Sequence, residues 1–155
     1  SPEQRKYILG GHLSQSMDNH KAEDESLQQV TKATIPASQS DDLIFSLKCV
    51  KHLKSNAIAI VKNQQMIGAG LGQTSRVDAL NQAIEKAKRM GFDLDSSVLA
   101  SDAFFPFADS VEISYNAGIR YIVQPGGSVK DNDSIVFCDD HGMAMYFTGI
   151  RHFKH

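Results

Sequence analysis

Residues 100–109 read Ala-Ser-Asp-Ala-Phe-Phe-Pro-Phe-Ala-Asp, so three phenylalanines and a proline stand between two aspartates. A buried strand has little use for carboxylates and a proline in so short a run, because proline cannot donate to a strand ladder. An ordinary surface loop, in turn, seldom carries three phenylalanines. The run predicts a structured corner of the fold. This corner either lines a pocket for a planar, nitrogen-rich ring or packs into the core.

On both sides of this corner, strand and helix patterns alternate along the chain. The predicted elements are a helix from about Ser40, strands over Ala57–Lys62 and Met66–Leu71, a helix over Arg76–Met90 capped by Ser75 and ended by Gly91, a strand over Ser97–Ala100, a helix over Ser110–Ala117, a strand over Ile119–Val123, a helix that contains Ile135–Asp140, and a strand over Met143–Phe147. Elements of these lengths in this order predict an α/β layered sheet. Residues 1–40 are polar and poorly periodic, and residues 18–26 resemble a solvated loop. We therefore predict a polar N-terminal segment over 1–40 and an α/β domain over 41–155.

Composition excludes several classes of protein. The chain has 155 residues, of which 41% are hydrophobic, which suits one globular domain or one half of a larger protein. A net charge of −2 indicates neither a nucleic-acid partner nor a membrane surface. Cys49 and Cys138 both lie in apolar surroundings, which predicts two reduced thiols in a cytoplasmic protein.

Three short motifs allow more than one interpretation. Gly68–Gly72 resembles a dinucleotide fingerprint, but Gln73 stands where the third glycine belongs, so a strand end with close backbone approach is favoured. Asn56 enters a strand, where asparagine is often only a turn former. Pro125–Ser128 forms either an anion-binding backbone nest or a tight turn. The zinc-deaminase motifs H-x-E and P-C-x-x-C are both missing from the sequence, so we predict no catalytic metal.

Several unusual motifs occur in a fixed order and together resemble a known family. They are Lys54-Ser55-Asn56-Ala57, Gly70-x-Gly72-Gln73-x-Ser75-Arg76, the run 100–109, Pro125-Gly126-Gly127-Ser128 and Arg151-His152-Phe153-Lys154-His155. In this order they resemble the C-terminal half of proteins of the AICAR transformylase/IMP cyclohydrolase family. The resemblance covers this chain from about Gly10 to His155. The resemblance implies a cytidine-deaminase-like three-layer α/β/α sandwich that is one repeat of a duplicated domain.

The resemblance also implies an activity. The family transfers a formyl group from 10-formyltetrahydrofolate to the AICAR nucleotide in purine biosynthesis, at sites near a homodimer interface in the cytoplasm. Its catalytic Lys-His pair belongs to the first repeat, which this chain lacks, and Lys51-His52 occupies the analogous place and is interpreted as structural. The cyclohydrolase domain is also outside these residues. The isolated chain is therefore expected to be inactive without the first repeat or a partner chain.

The family's functional residues match specific positions of this sequence. Asn56 is implied beside the reacting groups and is the predicted catalytic residue. The implied substrate-binding residues are Lys54, Asn56, Arg76, Phe104, Arg151 and His155, and the implied folate-binding residues are Phe105, Pro106 and Asp109. Besides Asn56, three of these residues have a structural alternative. Arg76 suits a solvated first-turn charge, Asp109 suits a helix cap and Arg151 suits a C-terminal packing residue. A non-catalytic nucleotide- or folate-binding or assembly module that keeps only the fold is the competing hypothesis for function.

Overall fold

The computed structural model describes residues 2–24 and 26–155, and Ser1 and Glu25 of the predicted polar segment lie outside the described residues. The elements are β1 (Glu3–Ile8), β2 (Gly11–Ser16), β3 (Gln28–Gln29), α1 (Ser40–Lys51), β4 (Ile58–Lys62), β5 (Gln65–Gly70), α2 (Arg76–Arg89), β6 (Val98–Ser101), α3 (Asp109–Asn116), β7 (Tyr121–Gln124), α4 (Asp131–Asp140) and β8 (Ala144–Phe147), with short 3-10 turns at Ala22–Asp24 and Ala37–Gln39. Every helix and strand predicted after residue 40 is confirmed in type and approximate position.

A six-stranded mixed sheet in the order β3-β8-β7-β6-β4-β5 forms the centre of the fold. Strands β6, β7 and β8 are parallel to one another, whereas β4 runs antiparallel to both β5 and β6. Side chains alternate between the two faces of the sheet, so Ile58 and Ile60 belong to one buried cluster and Ala57 and Ala59 to another.

Helices cover both faces of this sheet. Leu43, Leu47 and Val50 of α1 pack in the cluster that contains the small sheet residues Ala59 and Ala100. The opposite cluster holds larger sheet residues together with buried side chains of α2, α3 and α4, namely Leu80, Ile84, Val111 and Cys138. The predicted three-layer α/β/α arrangement is therefore confirmed.

Local capping determines where the helices lie. The Ser75 side chain accepts a hydrogen bond from the Asp78 backbone N–H at 3.1 Å, which caps α2 as predicted, and Gly91 follows its end with φ of +81°. Ser40, whose residue type also suits an N-cap, is instead the first residue of α1, and Gln39 holds the N-cap position without a side-chain hydrogen bond. The side chain of Asp42 binds residues outside α1.

The Asp42 carboxylate holds the turn between β4 and β5. It accepts the backbone N–H groups of Asn63 at 2.9 Å and Gln64 at 2.8 Å, and also the Gln64 side-chain amide at 2.7 Å. Asn63 and Gln64 have φ of +52° and +58°, as a tight hairpin turn requires. A carboxylate on the first turn of α1 therefore determines the register of a hairpin 21 residues later.

Regular structure is present within the predicted polar segment over residues 1–40. Strands β1 and β2 form an antiparallel hairpin, with Gly10 at its turn in a left-handed conformation (φ +74°). Strand β3 pairs with β8, so the sheet begins before the predicted boundary at residue 40. The hairpin is exposed along nearly its whole length, and it therefore carries none of the alternating burial pattern by which strands are recognised.

Both cysteines are free thiols. Cys138 is fully buried, and burial together with the charge of Asp139 raises the pKa of its thiol to about 12, which makes it unreactive. Burial also raises the pKa of Cys49. Among the helices of residues 2–24 and 26–155, none is long and apolar enough to cross a membrane.

Helix α2 packs so closely on β5 that a glycine is required at the contact. A Cβ atom added to Gly70 would lie 1.7 Å from the carbonyl oxygen of Ala79. We expect Gly70→Ala to lower the free energy of unfolding by about 3 kcal/mol, the upper part of the range for overpacking. Urea denaturation measures this, with Gly11→Ala as the control, since nothing lies within 4 Å of its added Cβ and a change below about 0.5 kcal/mol is expected. Equal losses in both variants would contradict the proposed close contact.

Candidate functional site

The start of β4 and the end of β6 meet at one edge of the sheet. Because these strands are antiparallel, with Ile58 opposite Ser101, Asn56 at the entrance to β4 lies beside the residues that follow β6. Strand β5 on the other side of β4 leads into α2, whose first residue is Arg76. Three segments distant in sequence therefore converge at this edge.

A cavity of about 380 Å³ opens at this point. Its lining residues are Asn56, Thr74, Ser75, Arg76, Ala103, Phe104, Pro106, Arg151 and Phe153. Five of the nine predicted site residues thus share one cavity, with flat apolar groups, an amide and two guanidinium groups in its walls. A slightly larger cavity of about 410 Å³ lies between the hairpin and the C-terminal residues and includes Lys51 and His52, but it contains none of these five.

The loop that carries Asn56 is bound to the loop between β5 and α2. The Gly72 N–H donates to the Lys54 carbonyl at 2.8 Å, and the Asn56 N–H donates to the Gln73 carbonyl at 3.1 Å. Gly72 has φ of +65°, which glycine adopts without strain. The glycines of the 70–76 motif therefore position this loop, and the prediction of a close backbone approach is confirmed.

The C-terminal residues bind the other side of the same loop. The Ser55 N–H donates to the Lys154 carbonyl at 2.9 Å, and the Lys154 N–H donates to Ser55 Oγ at 2.9 Å. The His152 N–H donates to the Asp102 carbonyl at 2.9 Å. The peptide bond between Ser55 and Asn56 is cis. The Asn56 loop is thus held between two chain segments.

The Asn56 carboxamide uses half of its hydrogen-bonding groups within the protein. Its Oδ1 accepts from Arg76 Nη2 at 2.8 Å, and its Nδ2 donates to the Gln73 carbonyl at 3.1 Å. A carboxamide has two N–H donors and two lone pairs on its oxygen, so one of each remains for a ligand. Asn56 can therefore donate to one group and accept from another within the cavity.

Arg76 is buried rather than solvated, so the structural alternative of a free first-turn charge is wrong. Its side chain is only 6% exposed; its Nη1 donates to the Ala57 carbonyl at 3.0 Å and forms an ion pair with Asp102. The guanidinium also contributes to the cavity wall. Arg76 joins the end of β6, the start of β4 and the Asn56 side chain.

Asp102 was not among the site residues predicted from the sequence. Its side chain is fully buried, accepts the Ser55 hydroxyl at 2.6 Å and the Ala57 N–H at 3.1 Å, and pairs with Arg76. The sequence feature that could have identified it is a carboxylate directly after a short apolar strand. Such a carboxylate is expected to be buried, and buried carboxylates occur almost only where they are paired. Phe153 was also missed, although it lies within the C-terminal motif.

The aromatic corner divides between cavity and core. Phe104 and Pro106 line the cavity. Phe105 is fully buried in the core, and its backbone N–H donates to the buried Gln124 Oε1 at 2.9 Å. The prediction that Phe105 lines an accessible pocket is therefore wrong, because its side chain packs in the core while Phe104 and Pro106 face the cavity. Both original interpretations of the run, pocket wall and core corner, apply to different residues of it.

Asp109 is exposed at the first position of α3, and its Oδ1 accepts the Ser110 N–H at 2.7 Å. The N-cap position belongs to Ala108, so the alternative of a capping aspartate is wrong. Asp109 contributes a negative charge to the first turn, where the helix dipole favours it. It is not among the described residues that line the cavity.

The remaining predicted residues are exposed. Arg151 lines the cavity, with its guanidinium carbon 5.1 Å from the centre of the Phe153 ring. Lys54 and His155 lie outside the cavity wall, and the His155 N–H lies 3.5 Å from Gln15 Oε1. Within the described parts of the chain, no group of three or more His, Cys, Asp or Glu residues is arranged to hold a metal ion.

A buried contact fixes the C-terminal residues to the N-terminal segment. His152 is 2% exposed, and its Nδ1 lies 2.5 Å from Asp18 Oδ2. Burial alone would raise the pKa of Asp18, but the hydrogen bond and the charge of His152, with smaller contributions from His20 and Lys51, outweigh it and hold this pKa below its usual value. Asp18 is therefore an ionised partner that orients His152, and the solvated loop predicted over residues 18–26 is wrong at this position.

Comparison with known proteins gives a consistent result. The family described as AICARFT/IMPCHase bienzyme matches residues 1–86. The bifunctional purine biosynthesis proteins PurH of Bacteroides thetaiotaomicron and Aquifex aeolicus are 53% and 52% identical over 98% and 97% of this chain. The chain spans only 30% and 29% of the length of these relatives. A solved diaminohydroxyphosphoribosylaminopyrimidine deaminase/5-amino-6-(5-phosphoribosylamino)uracil reductase of Thermotoga maritima has a TM-score of 0.45 at 18% identity, and the match covers 70% of this chain and 33% of that one.

Two phenylalanines of the run 100–109 test which of its residues pack in the core. Phe105→Ala removes a fully buried ring and should lower the free energy of unfolding by about 3–5 kcal/mol. Phe107 is 59% exposed, and Phe107→Ala should change it by less than about 0.5 kcal/mol. Chemical denaturation of both variants measures the difference. A Phe105→Ala variant as stable as the wild type would place that ring outside the core.

Proposed function

Because the chain belongs to the AICARFT/IMPCHase bienzyme family, we propose that it forms part of an AICAR transformylase. This enzyme transfers a formyl group from 10-formyltetrahydrofolate to the amine of the AICAR nucleotide in purine biosynthesis. The observation that carries the proposal is the convergence of Asn56, Arg76, Phe104, Pro106 and Arg151 on one cavity. These residues come from four separate sequence motifs, and a purely structural reason for each motif would not require them to share a cavity.

The chain corresponds in this proposal to the second, C-terminal repeat of a duplicated cytidine-deaminase-like domain. Its relatives are more than three times as long, so the first repeat or a partner chain supplies the rest of the active site, in a cytoplasmic homodimer. The family's catalytic Lys-His pair is assigned to that first repeat. Lys51 and His52 do not replace it, since they lie at the other cavity. The isolated chain is therefore proposed to bind ligand without turnover.

The chemistry explains why an asparagine is useful. The AICAR amine is a weak nucleophile, because its lone pair is conjugated with the neighbouring carboxamide. The reaction needs a base for the amine proton and donors for the oxyanion of the tetrahedral intermediate. The free N–H of Asn56 suits the oxyanion or the formyl oxygen, and its free lone pair suits the amine proton during approach. No metal takes part in this proposal.

The cavity walls suit the two substrates. Phe104 and Pro106 present flat apolar surface to the folate ring system, and the exposed Arg151 guanidinium suits the nucleotide phosphate. Asp109 keeps a proposed role toward the N–H groups of the folate ring, because it is an exposed carboxylate beside the same corner. Lys54 and His155 are proposed as outer contacts to the nucleotide. The contribution of Phe105 is to anchor the corner in the core.

Removal of the Asn56 carboxamide tests the catalytic assignment. In the complete enzyme, Asn56→Ala should lower kcat by about 10²–10³-fold with a smaller effect on AICAR binding, because a transition-state donor is lost. Steady-state kinetics and nucleotide titration measure the two effects. Asn132→Ala alters an exposed asparagine of α4 that does not line the cavity and serves as the control. An unchanged kcat in Asn56→Ala would assign this residue to the turn alone and favour the non-catalytic binding module.

Arg151→Ala tests the phosphate contact. Loss of a charge-assisted contact to phosphate should weaken AICAR nucleotide binding by roughly ten- to a hundredfold. The dephosphorylated nucleoside should bind the variant and the wild type equally, as calorimetry on the complete enzyme can show. Arg89→Ala, which removes an exposed arginine at the end of α2, is the matched control. An equal loss for nucleotide and nucleoside would exclude Arg151 as the phosphate ligand.

A further inference from the structure

Asp102 contacts both sequence neighbours of Asn56, although it does not line the cavity. Its Oδ2 accepts the hydroxyl of Ser55, and its Oδ1 accepts the backbone N–H of Ala57. Ser55 and Ala57 are the two residues on either side of Asn56. The backbone of Asn56 is thus held from both sides by one fully buried carboxylate.

Arg76 also holds the side chain of Asn56. Nη1 of the guanidinium pairs with Asp102, while Nη2 donates to Asn56 Oδ1 at 2.8 Å. Since a guanidinium is planar and rigid, anchoring one nitrogen determines where the other points. An Asn56 Oδ1 that faces Arg76 leaves Nδ2 facing Gln73, which fixes the direction of the remaining N–H.

We propose that Asp102 is a positioning residue of this site, which orients the Asn56 carboxamide through Arg76. The catalytic consequence rests on the proposed function, whereas the orientation itself does not. Asp102 acts on Asn56 by its charge, because a carboxylate pairs with the guanidinium as an ion and a neutral carboxamide does not. Its backbone contacts to Ala57 and His152, at 3.2 and 2.9 Å, are independent of that charge.

Asp102→Asn therefore tests the effect of the charge. The variant keeps the volume, the backbone bonds and a side-chain acceptor, and it loses the ion pair to Arg76. Asp42→Asn is a matched control, because Asp42 is also buried, at 5% exposure, and accepts three N–H groups without any cation. Asp42 holds the β4–β5 turn, away from the Asn56 cavity. A purely structural role of Asp102 would make the two variants behave alike.

The first experiment uses this chain alone and records the side-chain amide resonances of Asn56 by NMR. We expect Asp102→Asn to shift or broaden them and to speed their exchange with solvent about tenfold or more, as an amide released from a fixed partner would. Asp42→Asn should lower the melting temperature but leave these resonances as in the wild type. Unchanged Asn56 resonances in Asp102→Asn would overturn the proposal.

Arg76→Lys provides a second test in case Asp102→Asn does not fold. Lysine keeps a positive charge for Asp102 but has no second nitrogen for Asn56. We expect the same loss of Asn56 order as in Asp102→Asn. Wild-type resonances in Arg76→Lys would overturn the proposal equally.

Kinetics of the complete enzyme separate the positioning role of Asp102 from the catalytic role of Asn56. Asp102→Asn should lower kcat by up to about 100-fold with little change in the KM for AICAR, because the group is misplaced rather than removed. Asp42→Asn should leave kcat unchanged. Altered Asn56 resonances with an unchanged kcat would support positioning by Asp102 and overturn the catalytic role of Asn56. Unaltered resonances with a lowered kcat would overturn positioning and leave the proposed function intact.

Discussion

The buried ion pair between Asp102 and Arg76 connects the parts of the molecule that form the candidate site. A carboxylate without exposure is tolerated only when it is paired and hydrogen-bonded, and Asp102 satisfies this with a guanidinium, a hydroxyl and a backbone N–H. These partners come from the start of α2 and from the loop before β4. The backbone of the same residue binds the C-terminal segment through His152. Loss of either partner would leave the other charge buried and unpaired. The three segments that meet at this pair are therefore ordered together.

The packing of α2 makes this pair possible. Added Cβ atoms at Gly68 and Gly70 would lie 2.4 Å from the Ala83 carbonyl oxygen and 1.7 Å from that of Ala79, so the two glycines let the helix rest directly on β5. Because β5 lies next to β4, the first residue of α2 then reaches the entrance of β4. The glycines that resemble a dinucleotide fingerprint thus serve helix packing, and their role at the site is to bring Arg76 within reach of Asp102 and Asn56.

Local signals explain what the sequence could predict. The Ser75 cap, Gly91 at the end of α2 and the apolar stripe between them are decided within a few residues, and these predictions are confirmed. The β1–β2 hairpin escaped prediction because its exposed side chains have no burial pattern. Contacts between distant segments escaped for another reason. The partners of the Asp102 side chain lie up to 47 residues away in sequence, and only the sheet order brings them together. The aromatic run predicted a corner, and two of its residues line the cavity, but the run did not show which ring faces the cavity.

The last five residues divide between the cavity and the core. Arg151 and Phe153 line the cavity, whereas His152 between them is buried against Asp18 and is hydrogen-bonded through its backbone to Asp102. The contacts of His152 therefore help to hold Arg151 at the cavity. Through Asp18, whose pKa is held low by His152, an ionised carboxylate of the N-terminal segment helps to fix the position of the proposed phosphate ligand.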